Sequence, residues 1–299
     1  MSCRNNQYKP KLTKKKNVYC APSNRGNKHT CFSKKSLLKI AKEFNKNNVS
    51  NNNASNNIEF NRKDKIKDLW NKINGKLNDN CRGEWCWIQQ QFVKGLNDDE
   101  INSTFRPETP LDWYNNKIEW LSTIDIDNVM QQYEGNHNDF SFIGPVPMDF
   151  DSPHSMGGCV VDELCKIDIG KMLKKKKKKI GIVFNLDKHY ESGSHWVAMY
   201  VDLNKNYIYY WDSYAEPAAT EVDNLAKRIQ QQGKKLGRKI RYKKNNIRHQ
   251  FKNSECGVYC MYFITKLLQG KTFNDIVRNK ISDDDMNLKR GYFYTPSCQ

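Results

Sequence analysis

Four short apolar runs, at residues 140–146, 181–186, 196–201 and 207–211, alternate with polar loops in the second half of this 299-residue chain. Runs of this length bounded by Asn, Asp, Gly and Ser read as strands. Helical patterns frame them. One covers about residues 125–133 and follows Trp120-Leu121-Ser122, with Ser122 or Thr123 as its N-cap. The other covers 256–269 and is stopped by Gly270 as a C′ residue. Strands framed by helices in this order predict an α+β domain over residues 109–299.

The preceding hundred residues have a different texture. Arg106-Pro107-Glu108-Thr109-Pro110 breaks regular structure and marks a boundary. Before it, Leu37, Leu38, Ile40, Ala41 and Phe44 recur at helical spacing, as do Ile66, Leu69, Trp70 and Ile73. An Asn/Ser-rich stretch at 45–57 separates the two patterns, and an aromatic-rich segment at 81–93 completes a helical accessory domain over 31–108. Residues 1–30 carry no apolar periodicity and read as a basic flexible arm.

Composition narrows the setting. The chain starts MSCRNNQYKP with no apolar core of a secretory signal, and no run of about 18 apolar residues offers a membrane span. The ten cysteines are scattered, and a chain this long has no need of staples, so a reducing intracellular setting without a disulfide framework is expected. The net charge of +17 is segregated: residues 1–40 hold eleven Lys/Arg and no acid, residues 224–254 hold eleven more and no acid, and 174–179 is all lysine. Such blocks attract polyanions without reading sequence. An A/T-rich coding bias toward Lys and Asn produces the same pattern, and both readings stand.

Cys256 is the cysteine with chemical promise. It falls in the first turn of the apolar helix, capped by Asn253 or Ser254, where the macrodipole and free backbone N–H groups favour an anion. Gly257 after it leaves room for a substrate backbone to approach. Cys260, one turn further in, reads as a packed core residue. The runs around 194–201 and 207–211 form a hairpin with a four-residue turn at 203–206. If the loop is even in length, opposed residues have numbers summing to an odd value such as 407 or 409, so His195 faces Asp212 or Tyr214 and shares a face with Asp212; an odd loop puts His195 and Asp212 on opposite faces. A carboxylate there fixes one imidazole nitrogen and leaves the other for a thiol. Gln250, six residues before Cys256, supplies an amide that can donate to an oxyanion beside the Cys256 N–H. Such a donor contributes about 3 kcal/mol, or about a hundredfold in rate.

The ordered set His195-Trp196, Asp212 within Tyr-Trp-Asp-Ser, Gln250 and Asn-Ser-Glu-Cys256-Gly resembles the adenain-like and ubiquitin-like-protease superfamily of cysteine peptidases. Phe184-Asn185-Leu186-Asp187 followed by Gly193-Ser194-His195-Trp196-Val197 is similar to the version found in large DNA viruses, as are Trp120-Leu121 and residues 142–150. The resemblance covers roughly residues 113–295, and the first hundred residues match only loosely. It implies a papain-like/adenain-like core, with a central mixed sheet packed by helices. It makes Cys256 the nucleophile, His195 the general base and acid, Asp212 its orienter and Gln250 the oxyanion-hole residue. Trp196 becomes a wall of a cleft that admits small residues. No cofactor is implied beyond stimulation by DNA.

The expected function is a thiol protease that cuts viral structural polyproteins at Gly-Gly-Xaa-like sites during maturation, in the virion and the host cytoplasm. The alternative substrate is a ubiquitin-like conjugate, and the alternative from another class is a basic core protein that packages nucleic acid. Acyl transfer by the same triad ranks below these, since no acyl-CoA or inositol-phosphate pocket is legible. Cys81 and Cys86 with His29 or His137 could be drawn as a zinc site, but Trp85 and Trp87 argue for packing, and no metal is expected. Gly157-Gly158-Cys159 resembles a self-cleavage site, yet reads first as a turn.

Overall fold

The computed structural model describes residues 19–24, 29–51, 53–78, 81, 83–154 and 157–295. These fall into two units, one running through Leu111 and taking in the residues from Gly291 onward, the other spanning Asp112–Arg290.

In the first unit, helix α1 (Lys34–Ser50) begins where the Ser33 side chain accepts from the Ser36 N–H, and it buries Leu37, Ile40, Ala41 and Phe44. Helix α2 (Ile66–Leu77) buries Leu69, Ile73 and Leu77. Both rows sit in one apolar cluster with Phe32, Trp87 and Phe105. The Phe32 ring stacks on Trp87 with centroids 5.9 Å apart. Among the described residues two disulfides, Cys20–Cys31 and Cys81–Cys86, lie in this unit, and another, Cys159–Cys165, lies in the other, against the expectation of reduced cysteines.

Most of the expected flexible arm lies outside the described residues. Its described part is anchored instead: Cys20 and Ala21 are buried, and Cys20 forms a bridge with Phe105. The C-terminal residues also depart from a 109–299 domain. Thr295 donates its N–H to the Pro107 carbonyl at 2.8 Å and accepts from the Thr109 N–H at 2.7 Å, which ties the chain end to the first unit.

The second unit is α+β. Its sheet runs β1 (Phe140–Pro147), β2 (Lys179–Asn185), β3 (Trp196–Asp202), β4 (Tyr207–Trp211) and β5 (Arg241–Lys244), in that spatial order. The outer pairs β1–β2 and β4–β5 are parallel, and the inner pairs β2–β3 and β3–β4 are antiparallel. Helix α3 (Thr123–Asn136) opens with a capping box between Ser122 and Asp125.

Helix α4 (Thr220–Lys235) presses Val222, Leu225, Ala226 and Ile229 onto the face that carries Val197, Met199, Val201, Ile208 and Tyr210. Each large apolar side chain buried this way stabilises the unit by about 1.5–3 kcal/mol. On the opposite face lies helix α5 (Cys256–Leu268), with Phe263 stacked on Trp211 at 5.3 Å. It approaches closely because β2 offers Gly181, where a Cβ would stand 2.8 Å from the Phe140 ring and 3.2 Å from Ile264. Among the described residues no helix is long and apolar enough to cross a membrane.

Candidate active site

The β3–β4 hairpin pairs Ala198 with Trp211 and Met199 with Tyr210, so opposed numbers sum to 409. His195 extends β3 by one residue, since its carbonyl accepts from the Leu186 N–H at 2.9 Å and prolongs the ladder with β2. His195 and Asp212 therefore share a face at one end of the hairpin. The His195 Nε2–H donates to Asp212 Oδ1 at 2.7 Å. Both are buried, at 7% and 1% exposure. Tyr214, opposite His195 in the same register, stacks on the imidazole at 4.6 Å.

Asp212 is itself held on every side. Its Oδ1 also accepts from the Tyr214 N–H at 2.9 Å, and its Oδ2 accepts from the Glu216 N–H at 3.3 Å. Asn245, just past β5, accepts from the Asp212 N–H at 2.9 Å and donates to the Asp212 carbonyl at 2.6 Å.

Cys256 arrives from the other side of the sheet, as the first residue of α5, and is buried. The expected cap is absent: Glu255 is the N-cap, in a helical conformation, and no side chain closes the helix. Ser254 turns its hydroxyl to the Glu255 carboxylate at 2.7 Å instead. The first-turn N–H groups are thereby left to act on an anion. With Nε2 engaged by Asp212, Nδ1 is the imidazole nitrogen left for the thiol, and the Cys256 side chain acts electrostatically on the same ring. Burial works to lower the His195 pKa, but the hydrogen bonds to Asp212 and Cys256 and their charges outweigh it, raising it from 6.5 to about 9. The imidazolium is thus the resting form at neutral pH. Cys260 is fully buried, and burial pushes its thiol well up, as a packed cysteine should behave.

Gln250 is completely buried, not a solvated loop residue. Its Oε1 accepts from the Ser213 hydroxyl at 2.6 Å, and its Nε2 donates to the Lys252 carbonyl at 2.9 Å. The loop between Gln250 and Cys256 is pinned by Asp283, whose Oδ2 accepts from the Phe251 and Lys252 N–H groups, each at 2.8 Å. The other oxygen of Asp283 accepts from the Tyr259 hydroxyl on α5 at 3.1 Å.

The two expected substrate contacts fare differently. Trp196 is buried, and its indole N–H donates to the Leu121 carbonyl at 3.0 Å, which fixes the ring beside His195. Gly257 does not face open space. A Cβ there would meet Leu121 at 3.0 Å and Ile126 at 3.3 Å, so its bare Cα serves the packing of α5 against α3. Cys81 and Cys86 bond each other, which removes their thiolates from any zinc site. Gly157 and Gly158 take positive φ in a tight turn, and the Cys159 N–H donates to Asp162 at 2.8 Å. That turn is not the extended strand a protease needs. Cys159, Asp162 and Cys165 cluster, but the two sulfurs are joined to each other.

The hairpin parity already offers Tyr214 as a residue facing His195, and the structure places it there. Ser213, Asn245 and Asp283 are not singled out by the sequence, and only Ser213 has a signal, as the residue directly after Asp212.

Residues 166–296 match the family model described as Ulp1 protease family, C-terminal catalytic domain. Over 285 residues the chain is 34% identical to a putative thiol protease of Acanthamoeba polyphaga mimivirus, covering 89% of each protein. It is 26% identical over 244 residues to a cysteine protease of African swine fever virus, covering 76% of this chain and 88% of that one. In other isolates of that virus the corresponding protein carries the name SUMO-1 cysteine protease. The crystal structure of the African swine fever virus protease superposes with a TM-score of 0.65 at 22% identity, over 93% of this chain and 96% of that one, and shows the same fold.

Proposed function

The chain belongs to the Ulp1 protease family and is a viral cysteine peptidase, and from that premise we propose that it is an endopeptidase that cuts structural precursors after small residues during virion maturation, with Cys256, His195, Asp212 and Gln250 as its machinery. The observation that carries this reading is the buried Asp212–His195 hydrogen bond, with Cys256 acting on the same imidazole from the uncapped start of α5.

In the proposed reaction the Cys256 thiolate attacks the scissile carbonyl carbon. The carbonyl oxygen becomes an oxyanion, met by the Cys256 N–H and Gln250 Nε2. The C–N bond then breaks as the His195 imidazolium gives its proton to the leaving amine, and a thioester on Cys256 remains. Water attacks the thioester while neutral His195 takes its proton. The acid product leaves, and the thiolate–imidazolium pair is restored. Asp212 keeps the ring oriented and stabilises its charged form throughout. Trp196, fixed by the Leu121 carbonyl, narrows the cleft toward small side chains.

The test is cleavage of a Gly-Gly-Xaa peptide by the wild type and by Cys256→Ala. Cleavage is expected only with the wild type, and retained activity in the variant sinks the assignment. The SUMO-1 name carried by relatives favours a second substrate, a ubiquitin-like conjugate. Turnover of such a conjugate measured beside a polyprotein peptide decides between them.

We also propose that polyanions hold the enzyme near its substrates. Support comes from a cavity of about 470 Å³ rimmed by Lys243, Lys244 and Arg278 and lined by no acid, although Lys244 also pairs with Asp223. Peptide turnover and oligonucleotide binding at low salt test it. Lys243→Ala with Arg278→Ala should lower the slope of log affinity against log salt by about 1–2. Turnover and binding indifferent to the oligonucleotide overturn it.

A further inference from the structure

The two ends of a carboxamide are nearly the same shape but opposite in chemistry: Nε2 donates and Oε1 only accepts. A Gln that is to stabilise an oxyanion must present the first and hide the second, because a presented oxygen repels the developing charge. Something has to choose. Around Gln250 two contacts do so. The Lys252 carbonyl lies 2.9 Å from one end and can only accept, so the amino group is there. The Ser213 hydroxyl lies 2.6 Å from the other end and donates to Oε1. Ser213 is 1% exposed and Gln250 is fully buried, so the Ser213 hydroxyl meets little competition from water for Oε1. The Ser213 carbonyl accepts from the Gln250 N–H at 2.9 Å, which locks backbone as well as side chain. With one amino proton on Lys252, the other points toward the Tyr214 hydroxyl across a long 3.4 Å contact that a stronger acceptor can replace.

We propose that Ser213 is the positioning residue of the oxyanion donor: its hydroxyl holds Gln250 Oε1 so that Nε2 faces the reacting carbonyl. The inference rests on the protease reading given above and deepens it. It also explains an economy in the chain. Asp212 and Ser213 are consecutive, and at the end of β4 their side chains diverge, one to the imidazole and the other to the amide. A single strand end thus sets both the acid–base pair and the oxyanion donor.

The experiment is steady-state cleavage of a Gly-Gly-Xaa peptide by Ser213→Ala, Ser213→Thr, Gln250→Ala and the double variant Ser213→Ala/Gln250→Ala. Ser213→Ala should lower kcat by about tenfold to a hundredfold with KM changed by less than about twofold. The Thr variant keeps the hydroxyl and should recover most of the loss. In the Gln250→Ala background the same substitution should cost less than about twofold, because the group it orients is gone. Alkylation of Cys256 by iodoacetamide, which forms no oxyanion, should proceed at the wild-type rate in Ser213→Ala. Should that variant not fold, Ser213→Cys offers a weaker donor of similar size for the same comparison. A wild-type kcat in Ser213→Ala, an undiminished effect without Gln250, or an equal loss in alkylation each overturn the positioning role alone. A wild type that cleaves no peptide overturns the protease reading, and this inference with it.

Discussion

Replacing Asp212 by Asn removes one negative charge and keeps the shape of the side chain. The consequence can be worked from His195. Its pKa is held at about 9 rather than 6.5, and Asp212 supplies the first of the contributions that raise it against the lowering effect of burial. That difference corresponds to about 3 kcal/mol between the two protonation states. In Asp212→Asn burial is left with less opposition, so the His195 pKa should fall from about 9. Fewer of the rings are then protonated near neutrality and able to hand a proton to the leaving amine. We expect kcat/KM near neutrality to fall by about tenfold to a hundredfold.

Stability should follow the same sign. A group whose pKa is raised by folding contributes fully below its unfolded value of 6.5 and loses that contribution as pH rises through about 9. The wild type should therefore lose stability across that window, and the variant should lose much less. The assay is a pH–rate profile paired with nitrogen NMR of the His195 ring and urea unfolding at several pH values. An alkaline limb and a ring titration that remain near the wild-type position in Asp212→Asn would refute the reasoning.

Two further outcomes are expected. Asp283→Ala strips hydrogen bonds from the part-buried Phe251 and Lys252 N–H groups and from the Tyr259 hydroxyl. Urea unfolding should show a loss of about 1–3 kcal/mol, since hydrogen bonds to a charged group that anchor the loop before Cys256 are lost, and kcat should fall with it. Gly257→Ala pushes a Cβ into Leu121 and Ile126 and should cost about 1–3 kcal/mol in stability by overpacking, with KM little changed. A raised KM at unchanged stability would return Gly257 to the substrate cleft.

Alternation made the hairpin legible. The turn at 203–206 has even length, and that parity puts His195 and Asp212 on one face of the hairpin. The apolar run of α5 was equally plain, and it carries Cys256. What escaped was amphipathicity hidden under charge. Helix α4 buries Val222, Leu225, Ala226 and Ile229, but its C-terminal half lies in the acid-free stretch and reads first as a basic block. Strand β5 is Arg-Tyr-Lys-Lys, an edge strand with no apolar alternation to betray it. Asn245 and Asp283 were invisible for another reason. Each acts through backbone groups far away in sequence, and nothing in Lys-Lys-Asn-Asn or Ser-Asp-Asp-Asp marks the one residue that turns inward. The disulfides were missed because scattered spacing says little about which cysteines meet in space.

The central claim is that Cys256 is the nucleophile and His195 governs its reactivity. A peptide ending in Gly-Gly with an electrophilic vinyl ester in place of the scissile bond tests it most directly, read by intact mass and site mapping. One adduct is predicted, on Cys256, and its rate should collapse in His195→Ala. An adduct on Cys260 or another cysteine, or an undiminished rate without His195, would contradict the account.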